Sequence, residues 1–157
     1  YDDVNQREWL DLTESRLSMY SGFSWEQRFA SLLPELEPGK TFAGFAVATG
    51  PHLIALAESA GIHIGTSNFL LNGDPVRRLL DLVGSTRNGF PLEGRAALGL
   101  LNDVSSPTAL LPNTRISGQL EYFPFAGSGG RAQLSVAPGY RDVAVSASIR
   151  AGRIKRG

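Results

Sequence analysis

The sequence contains no cysteine. That absence excludes a disulfide framework, a thiolate zinc site and a cysteine nucleophile. Charge of one sign is not in excess: 15 Lys+Arg stand against 15 Asp+Glu, so no global field draws in nucleic acid or anionic lipid. Long apolar runs are missing too, and none approaches the roughly 20 residues that span a bilayer. The two histidines, His52 and His63, lack the i, i+4 spacing of a helix-borne zinc pair. There is no G-x-S-x-G, no phosphate loop and no dinucleotide fingerprint. The "GSGG" at Gly127–Gly130 lies between expected strands and reads as a hairpin loop.

What is present suits one folded domain spanning residues 1–157. Apolar residues make up 42% and charged residues 19%, the balance of a globular chain with a core. Eighteen glycines and nine prolines imply many turns. Ser and Thr are frequent in the second half, which fits a strand-rich extracellular domain. The chain starts at Tyr1 rather than Met and shows no signal peptide, so the expectation is a processed or trimmed form with a leader removed.

The first half reads as helices with short strands. "REWLDL", Arg7 to Leu12, alternates like a half-buried strand after a turn formed by Asp2, Asp3 and Asn5. "SWEQRFASLL" predicts a helix capped by Ser24, with Gln27 at the capping-box position. Trp25, Phe29, Leu32 and Leu33 form its stripe, and Pro34 with the "EPGK" turn ends it. "TFAGFAVAT", Thr41 to Thr49, predicts a buried strand. "GPHLIALAESAG" predicts a second helix, with Pro51 in its first turn, Gly61 just past its end, and Leu53, Leu56, Ala57 and Ala60 on its buried face. "DPVRRLLDLVG" predicts a third, capped by Asp74, started by Pro75 and stopped by Gly84, with Val76, Leu79, Leu80 and Val83 as its stripe.

From about Phe90 the helical period gives way to strands: "ALGLLND", "RISGQLEYFPF", "RAQLSVA" and "DVAVSASIR". The predicted object is one α+β domain, with two to three helices early and a mainly antiparallel sheet late.

The opening carries a resemblance. Glu8, Trp9, Leu10, Asp11, Leu12 and Thr13 precede a helix, then Gly44, Phe45, Ala48 and Thr49, then a helix ending Ala60, Gly61, Ile62. This order resembles exported bacterial proteins that carry a PEP-CTERM sorting signal, over about the first hundred residues. "LLDLVGST" and "GLLND" fit more loosely. The resemblance implies an exported protein, secreted or held at the cell surface, in an exopolysaccharide and biofilm setting. The same order is similar to domains distantly like C-type lectins and formylglycine-generating enzymes, which implies a C-type-lectin-like fold. The Pro-Glu-Pro motif, spanning helix and basic tail of the sorting signal are not in these residues, and removal or trimming after Gly157 is the expectation. Without cysteine, the formylglycine-generating activity is excluded on chemical grounds.

Two stretches are candidate ligand sites. "LND" places Asn102 and Asp103, hard oxygen ligands suited to calcium, where calcium-dependent lectins have Trp-Asn-Asp on a strand. Leu101 replaces the Trp, and "NGFPLEG" has Pro91 and Glu93 in the wrong order for the upstream partner motif. The plainer reading is a strand end before a turn at Ser105, Ser106 and Pro107. "EYFPF" sets Glu121, Phe123 and Phe125 on one face and Tyr122 and Pro124 on the other. The plain reading is a core strand with Tyr122 outward. The sharper one makes Tyr122 a stacking platform for sugar. Pro124 argues for an edge or a bulge, and an open edge can accept another subunit's strand. The basic end, Arg150, Arg153, Lys155 and Arg156, reads as a solvated terminus or as a dock for an acidic polymer or neighbouring subunit.

The function expected is a non-catalytic surface or extracellular-matrix protein acting by adhesion or self-assembly. A carbohydrate-binding module, with or without calcium, is the alternative. A hydrolase would need two of Asp81, Glu93, Asp103 and Glu121 brought together, which their spacing does not indicate. No cofactor is expected beyond the optional calcium. The partners expected are copies of the chain or a polysaccharide, and not nucleic acid.

Overall fold

Thr49 sets the start of a helix that its neighbours finish. It is the N-cap of α2, Gly50–Ser59: its side chain accepts from the His52 backbone, and His52 Nδ1 accepts from the Thr49 N–H, closing a capping box. At the other end the Ile62 N–H donates to Ala57 and the Gly61 N–H to Glu58, the paired bonds of a Schellman motif. Gly61 stands at φ +86, which a residue without Cβ adopts freely, and Ile62 is then buried beside the helix end. Leu56 and Ala57 are buried, with Leu53 and Ala60 half-buried, as the periodicity predicts.

These elements belong to a computed structural model that describes residues 1–9, 25–85, 93–104, 115–124 and 129–138. Ahead of α2 lies α1, Trp25–Leu32, which runs directly into a 3₁₀ turn at Leu33–Leu36. The α-helix ends before Pro34, as expected, and Pro34 sits in the 3₁₀ turn that leads to the turn at Glu37–Lys40. The predicted cap Ser24 lies outside the described residues. Phe29 and Leu32 bury against Phe42 in a small separate cluster, whereas Leu33 is largely exposed.

The strand predicted at Thr41–Thr49 is not one. Residues 41–44 are turns, held by Ala43 N–H to Lys40 and Phe45 N–H to Phe42, and Gly44 takes φ +84. Phe42 and Ala48 are buried but Gly44 and Ala46 between them are exposed, and the segment has one bridge position, at Ala46, in place of a strand.

The third helix also departs from expectation. α3 is Phe69–Val83, capped by Asn68, whose Oδ1 accepts from the Leu70 N–H, not by Asp74. Pro75 sits inside it and has no N–H for the Leu71 carbonyl. Burial of Asn72, Gly73 and Val76 around that point offsets the lost bond. Val76, Leu79, Leu80 and Val83 are buried as predicted, and Val76 and Leu80 are fully enclosed, each contributing about 2 kcal/mol by transfer. Gly84, at φ 82, closes the helix.

Three strands follow: β1, Arg95–Val104; β2, Arg115–Phe123; and β3, Arg131–Pro138, antiparallel in the order β1-β2-β3. Leu120 pairs with Ala97 on one side and Leu134 on the other. All three are buried with residues of α2 and α3, so one sheet face carries the helices and holds the main core. The layout is α+β, helices first and antiparallel sheet after. "DVAVSASIR", expected as a further strand, lies outside the described residues.

The N-terminal turn docks on α2. Asp2 and Arg7 form an antiparallel bridge, Asn5 donates to both Asp2 carboxylate oxygens, and Asn5 Nδ2 reaches the Ala55 carbonyl at 3.1 Å. Trp9 packs on Ala48, as Leu53 and Val136 also do, and on the main core, anchoring the opening. Its buried Nε1 has no acceptor among the described residues. Leu10–Leu12 of the predicted first strand lie outside them.

Candidate functional site

Tyr122 does not face outward. Its register partners are Arg95 and Ala132, on the helix side of the sheet, and its ring lies 5.5 Å from that of Phe69 at 45°. Phe69 opens α3, and it fits only because two glycines leave room. A Cβ on Gly73 would stand 3.0 Å from the ring, and one on Gly130 would meet it at 2.9 Å and the Pro124 carbonyl at 2.7 Å. The Asn68–Arg131 bridge and the Ala132 N–H to Ser67 bond tie the same corner to β3. Tyr122 is half-buried in this corner.

The alternation instead sends Glu121 and Phe123 to the opposite face. Glu121 is 8% exposed and fully engaged. Gln119 Nε2 donates to its Oε1 at 2.6 Å, Gln133 Nε2 donates to its Oε2 at 2.6 Å, and Arg131 Nη2 stands 3.6 Å from Oε1. Arg131 also lies over the Phe123 ring, 5.3 Å from its centre. Two amides, a guanidinium and an aromatic ring thus share one face around the engaged carboxylate, and amides, guanidinium and ring are groups of the kind that hydrogen-bond and stack with a hydroxyl-rich ligand. The sequence holds the signal: Gln119, Glu121 and Phe123 alternate, and the partner strand carries Arg131 and Gln133.

Asn102 and Asp103 lie near the end of β1, where its pairing with β2 shifts register between Leu100 and Val104. Leu100 pairs with Ser117 and Val104 with Arg115, so Leu101, Asn102 and Asp103 face Ile116 across an irregular bulge. Among the described residues no group of three His, Cys, Asp or Glu is placed to hold a metal ion. His52 serves the α2 capping box, and His63 is exposed with its backbone bonded to Asn72.

Of the carboxylates considered for hydrolysis, Asp81 and Glu121 stand on opposite faces of the sheet. Asp81 is 2.6 Å from Arg95 and 3.6 Å from Arg77, on the helix side of the sheet. Glu121 lies on the other side, and Glu93 is exposed at φ 63. The Arg77 pKa is raised by the hydrogen bond and charge of Asp74. Glu35 is held below the usual carboxylate range, first by the Thr41 hydroxyl, which donates to it at 2.7 Å.

A further surface, outside the predicted sites, is the solvent side of α3. Leu70 is 93% exposed, Leu82 77% and Leu71 48%. Exposed leucines concentrated on one helix are unusual. The signal for them was the eleven-residue spacing of Leu71 and Leu82, which returns to one helical flank. It is legible only when the helix is started at Phe69.

Set against models of protein families, curated proteins and solved structures, the chain matches none. No helix among the described residues is long and apolar enough to cross a membrane.

Proposed function

We propose that the chain is an exported, non-catalytic bacterial surface or extracellular-matrix protein that works through its exterior, by adhesion or self-assembly. The observation that supports this most is the solvent side of α3, where Leu70, Leu71 and Leu82 present apolar surface on a helix whose opposite side is already packed on the sheet. The engagement of Asp81 and Glu121 in ion pairs on opposite sides of the sheet favours a structural over a catalytic use of those acids. Export, cell-surface placement and an exopolysaccharide setting rest on the PEP-CTERM-like opening. The α+β layout is compatible with the C-type-lectin-like fold that the resemblance implies. Light scattering of the chain in native buffer across a concentration series tests the reading. Growth in mass supports assembly. A single monomer mass at every concentration, with no retention on cells or polysaccharide, contradicts it.

The second reading is a carbohydrate-binding module. Gln119, Gln133, Arg131 and Phe123 on one sheet face, set around the engaged Glu121, favour it, since amides, guanidinium and ring together suit a polyhydroxyl ligand. Asn102 and Asp103 at the β1 bulge are the groups a calcium-dependent version would use, whereas Tyr122, turned inward against Phe69, is not placed as a stacking platform. A glycan array run with and without chelator decides it: chelator-sensitive binding requires calcium, and no glycan binding removes the module.

A further inference from the structure

The exposed side of α3 is patterned in charge as well as in leucines. At 100° per residue, Leu71, Arg78 and Leu82 lie on one flank with Asp74 beside them, and Leu71 and Leu82 stand about 16 Å apart along the axis at ~1.5 Å per residue. Arg77 is turned toward Asp74 and Asp81, whereas Arg78 is exposed and makes no ion pair among the described residues. The buried residues Val76, Leu79, Leu80 and Val83 point the other way. Leu71 and Leu82 are therefore free to meet a partner without disturbing the core.

This pattern is self-complementary. If two α3 helices lie antiparallel and cross between Val76 and Arg77, Leu71 meets Leu82 of the partner subunit at both ends. Arg78 then comes beside Asp74 of the partner subunit in the middle. We propose that this flank is a two-fold seam between two copies of the chain, with leucine contacts at its ends and two Arg78–Asp74 pairs at its centre. Isologous pairing of this kind needs one surface that matches itself after a half-turn, and the leucine and charge positions on α3 meet that condition. One helix flank is small beside standard interfaces, so the seam is a weak, exchanging contact that forms at high local concentration. That suits a protein packed at a surface.

The inference rests on the self-association reading, and a cross-linking experiment separates the two. The chain has no cysteine, so single thiols report cleanly. Leu71→Cys and Leu82→Cys proteins, mixed in equal amounts and oxidised at up to about 1 mM, are predicted to give roughly tenfold more mixed disulfide than either homodisulfide, as an antiparallel isologous seam requires. Arg78→Cys, near the two-fold, is predicted to cross-link with itself. Sedimentation of the unmodified chain runs beside these. Charge reversal adds a second check: Asp74→Arg or Arg78→Asp alone weakens association, and the double variant recovers it, with circular dichroism verifying the fold. Homodisulfides in excess, or association in sedimentation without the mixed disulfide, overturns the seam while leaving self-association standing. A chain that sediments as a monomer throughout overturns both the seam and self-association.

Discussion

Asn72 and His63 are bonded twice. The His63 N–H donates to Asn72 Oδ1 at 2.8 Å, and Asn72 Nδ2 donates to the His63 carbonyl at 2.9 Å. Asn72 Nδ2 also reaches the Thr66 carbonyl at 3.0 Å, and the side chain is completely enclosed. One buried amide thereby fixes the turn between α2 and α3, and with it the cap of the helix that bears the exposed leucines. Asn72→Ala leaves a backbone N–H and two carbonyls without their partner, and about 3 kcal/mol of stability is predicted to be lost in urea unfolding. Asn72→Asp keeps the acceptor but sets a carboxylate against two carbonyls. It is predicted to cost more at neutral pH, and less as acid protonates the new side chain.

Two glycines of similar backbone separate conformation from crowding. Gly39, at φ +81, has open space where a Cβ would go, whereas a Cβ on Gly130, at φ +74, would meet the Pro124 carbonyl at 2.7 Å and the Phe69 ring at 2.9 Å. Gly39→Ala is predicted to cost about 1 kcal/mol and Gly130→Ala about 3 kcal/mol by denaturant titration. Equal costs would mean that Phe69 does not hold the corner.

The Glu121 cluster makes a directional prediction. Both carboxylate oxygens accept from glutamine amides, so Glu121→Gln turns one acceptor into a donor facing a donor. A loss of about 2 kcal/mol is expected, with the Arg131 stack over Phe123 loosened, readable as shifted ring resonances by NMR. Glu121→Ala should cost no less, since it also empties a buried position.

Glu35 supplies the pH test. Its pKa is lowered, chiefly by the Thr41 hydroxyl, then by the Thr41 backbone and the charge of Lys40. A carboxylate with a lowered folded value supports the fold above its unfolded pKa, and that support disappears as pH falls through the folded value. Thr41→Ala is predicted to move the Glu35 titration upward toward the ordinary carboxylate range, measured from its side-chain carboxyl shift by NMR.

Sequence patterning reached the elements whose signals are local. The α2 boundaries follow from Pro51, Gly61 and an unbroken period. The three strands follow from alternation, and the buried stripe of α3 from Val76, Leu79, Leu80 and Val83. It misplaced the start of α3 because Asp-Pro is a strong start signal, and tertiary burial of Asn72 and Gly73 overrides it. It called Thr41–Thr49 a strand because apolar density does not distinguish a ladder from a buried turn. Alternation in "EYFPF", of which Phe125 lies outside the described residues, separated Tyr122 from Glu121 and Phe123, as the pairing bears out, but could not say which set faces the helices. Leu120 and its partners decide that, and they put Tyr122 inward and Glu121 on the far side. The candidate ligand residues Asn102 and Asp103 were placed on a strand, and the bulge at their position depends on a register that only the pairing with β2 reveals.

The central claim is that the chain works by associating through its exterior. Sedimentation equilibrium of the unmodified chain beside a Leu71→Glu/Leu82→Glu variant tests it most directly, because both leucines are exposed and their loss leaves the core intact. The account predicts that the unmodified chain rises above its monomer mass of 16.8 kDa with concentration while the variant stays at that mass. An unmodified chain that remains at 16.8 kDa across the series contradicts self-assembly, and one that is also not retained on cells or polysaccharide contradicts the account as a whole.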